Sequence, residues 1–316
     1  MTRSVFGLGD LDRWVYADDV DEVLVNAGRE VWIERADRPG VEYVGRLDAG
    51  VVDVVIERVL APLGRRLDRA SPIVDARLPD GTRVCAVLPP VAADGPCLAF
   101  RRFRRLPLDL DDFGEGHLVE LLREVVAARC NTLVSGATSS GKTSLLNALA
   151  GCIPVHERIV TLEDTAELHL SSPHVLRLET RPASEGAAAI ELSRLVRTAL
   201  RLRPDRLVIG EIRGDESVDL LQALNTGHDG SLSTVHANGA LDALHRLASL
   251  VVRSSPGWPL DDVTAQVMRS IDIVVHLERD ERGRRIREVV EVGSAGEHRV
   301  LADALQRRLP LRRGRR

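Results

Sequence analysis

The one lysine in this 316-residue chain, Lys142, stands in a segment whose residue types and spacing suit phosphate binding. Residues 136–143 read Gly-Ala-Thr-Ser-Ser-Gly-Lys-Thr, which fits the pattern G-x-x-x-x-G-K-[ST]. An apolar strand is predicted before this segment and a helix over 144–150 after it, as the motif requires. The other 42 of the 43 basic residues are arginine, whose planar fork is larger and more rigid than an ammonium group. The single lysine therefore marks a place where a compact charge is needed.

This segment predicts a phosphate-binding loop. Its glycines allow the backbone to bend so that successive N–H groups surround the phosphates, and the following helix adds its positive N-terminal end. Lys142 is predicted to reach the β- and γ-phosphates of ATP, and Thr143 to offer its hydroxyl to Mg²⁺. The predicted nucleotide-binding residues of the loop are Gly136, Ala137, Thr138, Ser139, Ser140, Gly141, Lys142, Thr143 and Ser144.

Acidic residues follow two further apolar segments. Glu211 comes shortly after segment 207–209, and ligands of open α/β sheets bind at the carboxyl ends of strands, so Glu211 should point at the γ-phosphate. Gly210 stands where many P-loop enzymes have an aspartate, so the metal needs another acid. Glu163 and Asp164 follow segment 158–162, and two adjacent acids are unlikely to be buried without a cation. Thr143, Glu163 and Asp164 are thus the predicted Mg²⁺ ligands or water-positioning groups; a surface ion pair is the alternative for the two acids.

Two histidines lie in the polar segment 226–238. The predicted strand 232–235 ends at His236, which is therefore predicted to sense the γ-phosphate. His228 is a second candidate for nucleotide binding. A purely structural histidine is the alternative at both positions.

The predicted elements separate two regions of different character. Residues 10–104 read as α+β, with strands at 22–26, 31–34 and 97–103, a helix at 51–63 and a hairpin formed by 72–78 and 82–88. From residue 116 onward, helices alternate with apolar strands, which indicates a mostly parallel sheet covered by helices. The predicted domains are 1–104 and 116–316, joined by a linker at 105–115. The arginine-rich tail from about 307 is predicted to be solvated, or alternatively to contact an anionic membrane or a partner.

Composition limits the classes of function. With 44% hydrophobic and 28% charged residues the chain reads as globular, and its net charge of −4 lacks the basic excess of a duplex-binding domain. No uncharged run approaches the ~18–20 residues that span a bilayer, so a cytoplasmic location is expected. The four scattered cysteines predict neither a zinc module nor a disulfide framework.

Four motifs occur in a specific order: the phosphate loop at 136–143, an acidic box at 163–167, the segment 210–214 and a histidine box at 227–238. Together they resemble the type II/type IV secretion and pilus-assembly ATPases. The sequences of segments 75–81 and 225–231 most resemble the tight-adherence (Flp pilus) branch and its conjugal-transfer-associated relatives. The resemblance covers roughly residues 15–295, and the lack of a four-cysteine module disfavours the type II branch.

The resemblance implies a fold and a mechanism. The expected fold is α/β: a RecA-like P-loop NTPase domain preceded by a smaller α+β, PAS-like N-terminal domain. The family implies a homo-hexameric ring with ATP between the two domains, in which hydrolysis rotates one domain against the other. That motion would drive an inner-membrane platform protein of a pilus or secretion machine, so the chain is expected at the inner face of the membrane, held there by partners.

The resemblance also assigns roles to residues. It maps the water-activating glutamate to Glu211, the acidic-box glutamate to Glu163 and the histidine of its box to His236. Arg213, beside Glu211, is a further catalytic candidate because charge builds on the γ-phosphoryl group. N-terminal arginines commonly reach the phosphates in this family, and the candidates here are Arg77, Arg83, Arg101 and Arg102.

Two other functions compete with a pilus or secretion motor. The first is a conjugal DNA-transfer motor; single-strand channels usually stack bases on aromatic side chains, and the ATPase region contains only Trp258. Strong nucleic-acid binding is therefore not expected. The second is a nucleotide-gated scaffold without significant hydrolysis, which the presence of Lys142, Glu163 and Glu211 disfavours.

Overall fold

The contacts within the chain divide it into two units, residues 1–106 and 107–316. The computed structural model describes residues 7–35, 40–63, 66–102, 108–138, 140–183, 188–280, 283–293, 298–303 and 309–311. The predicted linker falls partly outside these ranges. Its second half is described and packs with the second unit, because Leu110 and Phe113 are buried in that unit's core. Most of the predicted arginine-rich tail lies outside the described residues.

The first unit is built on a six-stranded antiparallel sheet with the order β3-β2-β1-β6-β5-β4. Its strands are β1 (Val20–Asn26), β2 (Glu30–Arg35), β3 (Val41–Arg46), β4 (Ile73–Arg77), β5 (Arg83–Val87) and β6 (Cys97–Arg101). Two helices, α1 (Asp12–Val15) and α2 (Val51–Leu60), and two 3₁₀ turns, Gly9–Leu11 and Ala61–Leu63, complete the unit. Aliphatic side chains and the buried Phe100 form the core, to which the sheet, α2 and the N-terminal residues Leu8, Leu11 and Val15 contribute.

The sequence predicted most of this unit. The predicted hairpin is confirmed as β4 and β5, joined by a turn in which Leu78 N donates to Thr82 O and Gly81 has a φ of +94°. The predicted helix at 51–63 is confirmed, but its last turn is 3₁₀. Strand β3 was not predicted. It is an edge strand whose exposed Val41 and Tyr43 break the alternation that marks a half-buried strand.

The second unit contains an eight-stranded sheet with the order β14-β13-β12-β7-β11-β10-β8-β9. Its strands are β7 (Thr132–Gly136), β8 (Ile159–Glu163), β9 (Val175–Glu179), β10 (Arg206–Ile209), β11 (Leu232–His236), β12 (Ile273–Asp280), β13 (Gly283–Val292) and β14 (His298–Asp303). Its helices are α3 (Gly116–Ala127), α4 (Lys142–Gly151), α5 (Leu192–Ala199), α6 (Glu216–Asn225), α7 (Ala240–Ser254) and α8 (Leu260–Ser270). The strands from β12 to β9 in this order pair in parallel, and β13 and β14 add antiparallel strands at one edge.

Helices cover both faces of this sheet. The neighbouring residues Leu133 and Val134 of β7 point to opposite faces and belong to two separate hydrophobic clusters. One cluster contains side chains of α3 and α4, and the other contains side chains of α5 to α8. Strands buried on both faces read as continuous apolar runs, which is why the sequence predicted them. The predicted mostly parallel sheet is confirmed, whereas β9, β13 and β14 carry mixed polar residues and were not predicted.

The amino end of the sheet is fixed by a buried arginine. Arg206 is only 1% exposed. Its Nε and NH2 donate to Glu157 Oε2 and Oε1 at 2.6 and 3.2 Å, and NH1 donates to Gly230 O at 3.1 Å. Gly230 has a φ of +81°, and a Cβ there would lie 2.0 Å from Arg206 NH1. This position therefore needs glycine both for its backbone and for the guanidinium beside it.

We expect Gly230→Ala to destabilise the fold by about 3 kcal/mol more than Gly227→Ala. Gly227 is a matched control, because its φ is +92° but a Cβ there would meet nothing within 4 Å. Gly227→Ala therefore introduces backbone strain from the positive φ without a steric clash. Thermal unfolding followed by circular dichroism should give a melting temperature about 6–12 °C lower for the first variant. Equal melting temperatures would show that Arg206 moves aside at no cost.

Candidate active site

The phosphate loop joins the central strand β7 to helix α4, in the strand–loop–helix context that the motif requires. Gly136 has a φ of +155°, and a Cβ there would lie 2.6 Å from Ser140 Oγ and 2.7 Å from Leu277 O. Gly141 precedes α4 with a φ of +99°. Both glycines are thus required by the backbone path. Ser139 lies outside the described residues, while Thr143 and Ser144 lie in the first turn of α4.

The ammonium group of Lys142 lies inside this loop. The residue is 7% exposed, and its Nζ donates to Gly136 O at 3.0 Å and to Ala137 O at 2.8 Å. Nζ also lies 3.3 Å from Nδ1 of His236. Burying a cation is costly without such acceptors. The charge is therefore held at the loop, where the phosphates of a nucleotide would be bound.

His236 lies between Lys142 and Glu211. An ammonium group can only donate, so Nδ1 of His236 accepts and Nε2 carries the imidazole proton. Nε2 lies 2.7 Å from Glu211 Oε1. Burial lowers the pKa of His236 below its usual value, Lys142 acts in the same direction, and Glu211 opposes them. The neutral imidazole thus lies between Lys142 and the predicted base.

Glu211 is held from its other side by an arginine. Its Oε2 pairs with NH2 of Arg213, and NH1 of the same arginine lies 3.8 Å from Asp164 Oδ2. The structure therefore brings together Lys142, His236, Glu211, Arg213 and Asp164 at the carboxyl ends of neighbouring strands. We call these five residues the catalytic cluster. It forms because β11 lies between β7 and β10, and β8 follows β10.

Glu163 ends β8 with one carboxylate oxygen in use and one without a partner. Oε1 accepts the backbone N–H groups of Glu167 and Leu168 at 2.8 and 2.9 Å. Oε2 is buried and has no hydrogen-bond partner among the described residues. Burial raises the pKa of Glu163 to about 7, against the effect of the two N–H groups. A Cβ on Gly210 would lie 3.0 Å from Glu163 Cγ, so the glycine makes room for this side chain.

The predicted metal ligands fit a hard cation. A buried carboxylate oxygen without a partner is costly, and a cation would satisfy it. Asp164 and the hydroxyl of Thr143 offer further oxygens, the donors that Mg²⁺ prefers. In the part of the chain that the structure describes, no three His, Cys, Asp or Glu side chains form a metal-binding group.

The structure does not bring His228 to the catalytic cluster. Its Nδ1 lies 3.2 Å from Ala223 O, near the end of α6, and the residue precedes β11. His236 is the last residue of the same strand, so the two histidines lie at opposite ends of β11. Four strand steps separate the strand's ends by about 13 Å. A role of His228 in nucleotide binding therefore stays a prediction, with no support from its position within this chain.

The predicted arginines of the first unit fall into two groups. Arg77 pairs with Arg83 in register, and Arg83 pairs with Arg101, so the three lie side by side on one face of β4, β5 and β6. We call these three residues the arginine row. Arg102 is different, because its NH1 donates to Ala17 O at 2.6 Å within the same unit.

Arg284 lies beside the phosphate loop but was not singled out from the sequence. Its Cδ lies 2.8 Å from the position that a Cβ on Gly141 would take. Arginine makes up five of the nine residues from 279 to 287, so no local signal distinguishes this one. The pairings of β12 with β7 and of β13 with β12 bring it near the loop.

The fold and the loop define a P-loop nucleotide-binding protein of the RecA-like α/β class, which confirms the predicted fold class. A family model described as Type II/IV secretion system protein matches residues 8–300, and the chain belongs to this family. This confirms the family resemblance seen in the ordered motifs.

Relatives and solved structures agree with this assignment. A putative conjugal transfer protein of Mycobacterium tuberculosis is 38% identical over 314 residues, covering 96% of this chain and 89% of the relative. The type IV secretion system protein PtlH of Bordetella pertussis is 36% identical over 323 residues, covering 91% and 94%. The VirB11 ATPase of the Brucella suis type IV secretion system is similar in structure, with a TM-score of 0.50 and 27% identity over 89% of this chain and 92% of that one. The pilus retraction motor PilT shares the fold, with a TM-score of 0.64 at 17% identity, covering 91% and 83%.

Across the described residues, no helix has both the length and the apolar character needed to cross a bilayer.

Proposed function

We propose that this protein is a Mg²⁺-dependent ATPase that powers a secretion or pilus-assembly machine at the inner membrane. The observation that carries the proposal is the position of His236 between Lys142 and Glu211, 3.3 Å from Nζ and 2.7 Å from Oε1. This arrangement puts a phosphate-binding cation near a carboxylate that can accept a proton from water. A phosphate-binding loop alone would support binding only.

The geometry supports a sequence of events at the catalytic cluster. Phosphates entering the loop offer Lys142 stronger acceptors than the carbonyls of Gly136 and Ala137, since hydrogen bonds between charged partners are about twice as strong. The contact of Lys142 with His236 then weakens. The γ-phosphate also attracts Arg213 away from Glu211, which leaves the carboxylate able to take a proton from an attacking water.

Mg²⁺, held by Thr143 with Glu163 and Asp164, would neutralise charge on the β- and γ-phosphates. Within the chain, the backbone N–H groups of Glu167 and Leu168 fix Glu163 so that its second oxygen stays buried. A carboxylate oxygen that could bind Mg²⁺ is thus already in place before the nucleotide binds.

The arginine row supports a shared site in a ring. Arg77, Arg83 and Arg101 are neighbours on one face of the sheet of the first unit, and guanidinium groups can bind phosphate oxygens through two parallel hydrogen bonds. We propose a homo-hexamer in which Arg77, Arg83 and Arg101 approach the phosphates, and in which domain rotation acts on a membrane platform protein. The tight-adherence-like segments 75–81 and 225–231 favour a pilus machine of the Flp type. The protein would then lie in the cytoplasm, held at the inner face of the membrane by that platform.

A conjugal DNA-transfer motor is the second candidate, favoured by the name of the mycobacterial relative. The acidic net charge of −4 argues against it, because DNA binding relies on phosphate neutralisation by basic side chains. Trp258 alone offers an aromatic surface in the ATPase region.

Phosphate release from the purified protein tests these functions together. We expect Mg²⁺-dependent ATP hydrolysis that single- or double-stranded DNA changes less than about twofold at physiological salt. Light scattering with and without ATP should report a hexameric mass. Strong stimulation by DNA would favour the conjugal motor, and nucleotide binding without phosphate release would favour a nucleotide-gated scaffold.

A further inference from the structure

The segment that carries Glu211 leaves the sheet at the end of β10, and its first part is held by the neighbouring strands. Gly210 N donates to Leu162 O of β8 at 2.9 Å. Ile212 N donates to Thr234 O at 2.8 Å, and Thr234 Oγ1 donates to Gly210 O at 2.7 Å. The sheet therefore fixes the backbone on both sides of Glu211.

The next two residues are held by a side chain instead. Oε1 of Glu216 accepts the backbone N–H groups of Arg213 and Gly214, the second at 2.8 Å. Glu216 is 7% exposed and is the first residue of α6. A buried carboxylate is costly unless it is hydrogen-bonded, and hydrogen bonds to an ionised acceptor are about twice as strong as neutral ones. Glu216 thus fixes the backbone from which the side chain of Arg213 extends.

The direction of that side chain matters because Arg213 belongs to the catalytic cluster. Its NH2 pairs with Glu211 Oε2, and its NH1 lies 3.8 Å from Asp164 Oδ2. The side chain of Arg213 is 59% exposed, so little packing restricts where it points. Its backbone therefore decides which groups the guanidinium reaches. A displacement of about 1 Å in a catalytic group can reduce a rate about 100-fold.

A purely structural role is the alternative for Glu216. An acid in the first turn of a helix interacts favourably with the positive helix end, and the N-cap residue Asp215 makes no side-chain capping bond. Loss of such a role would reduce stability and leave turnover by the folded protein unchanged. The two N–H groups that Glu216 accepts, however, belong to residues that precede α6. The contacts therefore act on the segment that carries Arg213.

We propose that Glu216 is a positioning residue for the catalytic cluster. It holds the backbone of Arg213 and Gly214 so that the guanidinium group stays beside Glu211, where the proposed function has it engage the γ-phosphate. The inference rests on the proposed ATPase function and extends it to a residue outside the four sequence motifs. Because a single oxygen of Glu216 accepts both N–H groups, an amide oxygen can replace the carboxylate.

The variants Glu216→Ala and Glu216→Gln of the full chain distinguish the two roles. We expect Glu216→Ala to lower kcat for phosphate release about 10–100-fold, because Arg213 is displaced. Its affinity for ADP, measured by calorimetry, should stay within about twofold of the wild type, since ADP lacks the phosphate that Arg213 would engage. Glu216→Gln keeps the acceptor oxygen and should retain kcat within about threefold of the wild type.

Asn131→Ala is the matched control for lost stability. Asn131 is 4% exposed, and its Oδ1 also accepts two successive backbone N–H groups, those of Gly230 and Ser231 at 2.9 and 3.2 Å. These residues precede β7 and β11, so the contacts lie at the amino end of the sheet, away from the catalytic cluster. Melting temperatures report the stability lost in each variant. Below its melting temperature, Asn131→Ala should turn over at the wild-type kcat.

Hydrogen exchange on the nucleotide-free protein tests the contact itself and needs no hydrolysis. The amides of Arg213 and Gly214 should exchange faster in Glu216→Ala than in the wild type, because their acceptor is gone. Glu216→Gln should keep their protection. The amides of β10 should exchange at the wild-type rate in both variants.

The outcomes separate this inference from the proposed function. Wild-type turnover by a folded Glu216→Ala would overturn the inference. Equal losses in Glu216→Ala and Glu216→Gln would also overturn it, because the charge would then matter and not the acceptor. An equal loss in Asn131→Ala would attribute the effect to stability. If the wild type releases no phosphate, the proposed ATPase function fails; unchanged exchange at Arg213 and Gly214 in Glu216→Ala would separately show that Glu216 does not hold this segment.

Discussion

Glu211→Gln is expected to bind ATP close to wild-type affinity and to release phosphate about 10²–10⁴-fold more slowly. Glutamine has nearly the same size and shape as glutamate but cannot accept a proton from water. It keeps an oxygen or amide group next to His236 Nε2, so the imidazole stays in place. What is lost is the carboxylate charge that the structure places between His236 and Arg213.

Phosphate release and calorimetric binding should be measured on the same preparation, because the two readouts separate chemistry from affinity. Asp219→Asn is a suitable control, since this acid on α6 makes an ion pair with Arg197 at 2.9 Å, outside the catalytic cluster. It should hydrolyse ATP at the wild-type rate. Normal turnover by Glu211→Gln would show that another group activates the water.

Single-turnover measurements on Glu211→Gln with ATP already bound would sharpen this result. If the chemical step itself is slow, the first turnover is slowed as much as the steady-state rate. If only the steady state is slow, product release or ring motion has been altered, and Glu211 is a positioning residue.

Local patterns explain which parts of the site the sequence predicted. Lys142 and Thr143 are found from one contiguous motif, and Glu211 and Glu163 are found because each follows an apolar strand. In a parallel sheet every strand places its last residue at the same edge, so reading strand ends was enough to assemble most of the catalytic cluster. The order β7-β11-β10-β8, which makes the residues neighbours, is a property of the fold and not of any segment.

The remaining residues depend on distances that sequence spacing does not give. His228 and His236 are close in sequence, yet the length of β11 separates them. Arg284 is far from the loop in sequence, yet two strand pairings bring it to Gly141. The arginine row likewise follows from the register of β4, β5 and β6. Arginine is so frequent in this chain that residue type alone distinguishes none of these positions.

The contacts of the catalytic cluster describe a site held ready for phosphate. Lys142 Nζ contacts two carbonyls and an imidazole, and Glu211 pairs with the guanidinium of Arg213, while its Oε1 lies 2.7 Å from the imidazole without a hydrogen bond. A phosphate group would form stronger hydrogen bonds with Lys142 and Arg213 than their present partners within the chain do. In the proposed mechanism, nucleotide binding would exchange contacts within the chain for contacts with the ligand. Glu211 would be released only when a γ-phosphate engages Arg213.

Lys142→Ala is expected to lose ATP affinity about 10–100-fold, because hydrogen bonds to a charged group contribute about 1.5–3 kcal/mol. Calorimetric titration measures the loss directly. Removing the ammonium group relieves repulsion at the positive end of α4 but leaves the carbonyls of Gly136 and Ala137 without their donor. The melting temperature without nucleotide should be measured beside the affinity, so that a loss of binding is not confused with a loss of folded protein.

Lys142→Arg separates charge from shape, and it is the informative control in a chain whose other basic residues are all arginine. The ammonium group fits between Gly136 O and Ala137 O in a site that is 7% exposed. A guanidinium group is larger and planar and cannot turn its donors toward both carbonyls and the phosphates. We expect Lys142→Arg to bind ATP nearly as poorly as Lys142→Ala, although its charge is unchanged. Wild-type affinity in Lys142→Arg would mean that the loop requires only a positive charge, and the single lysine would then have no physical explanation in this site.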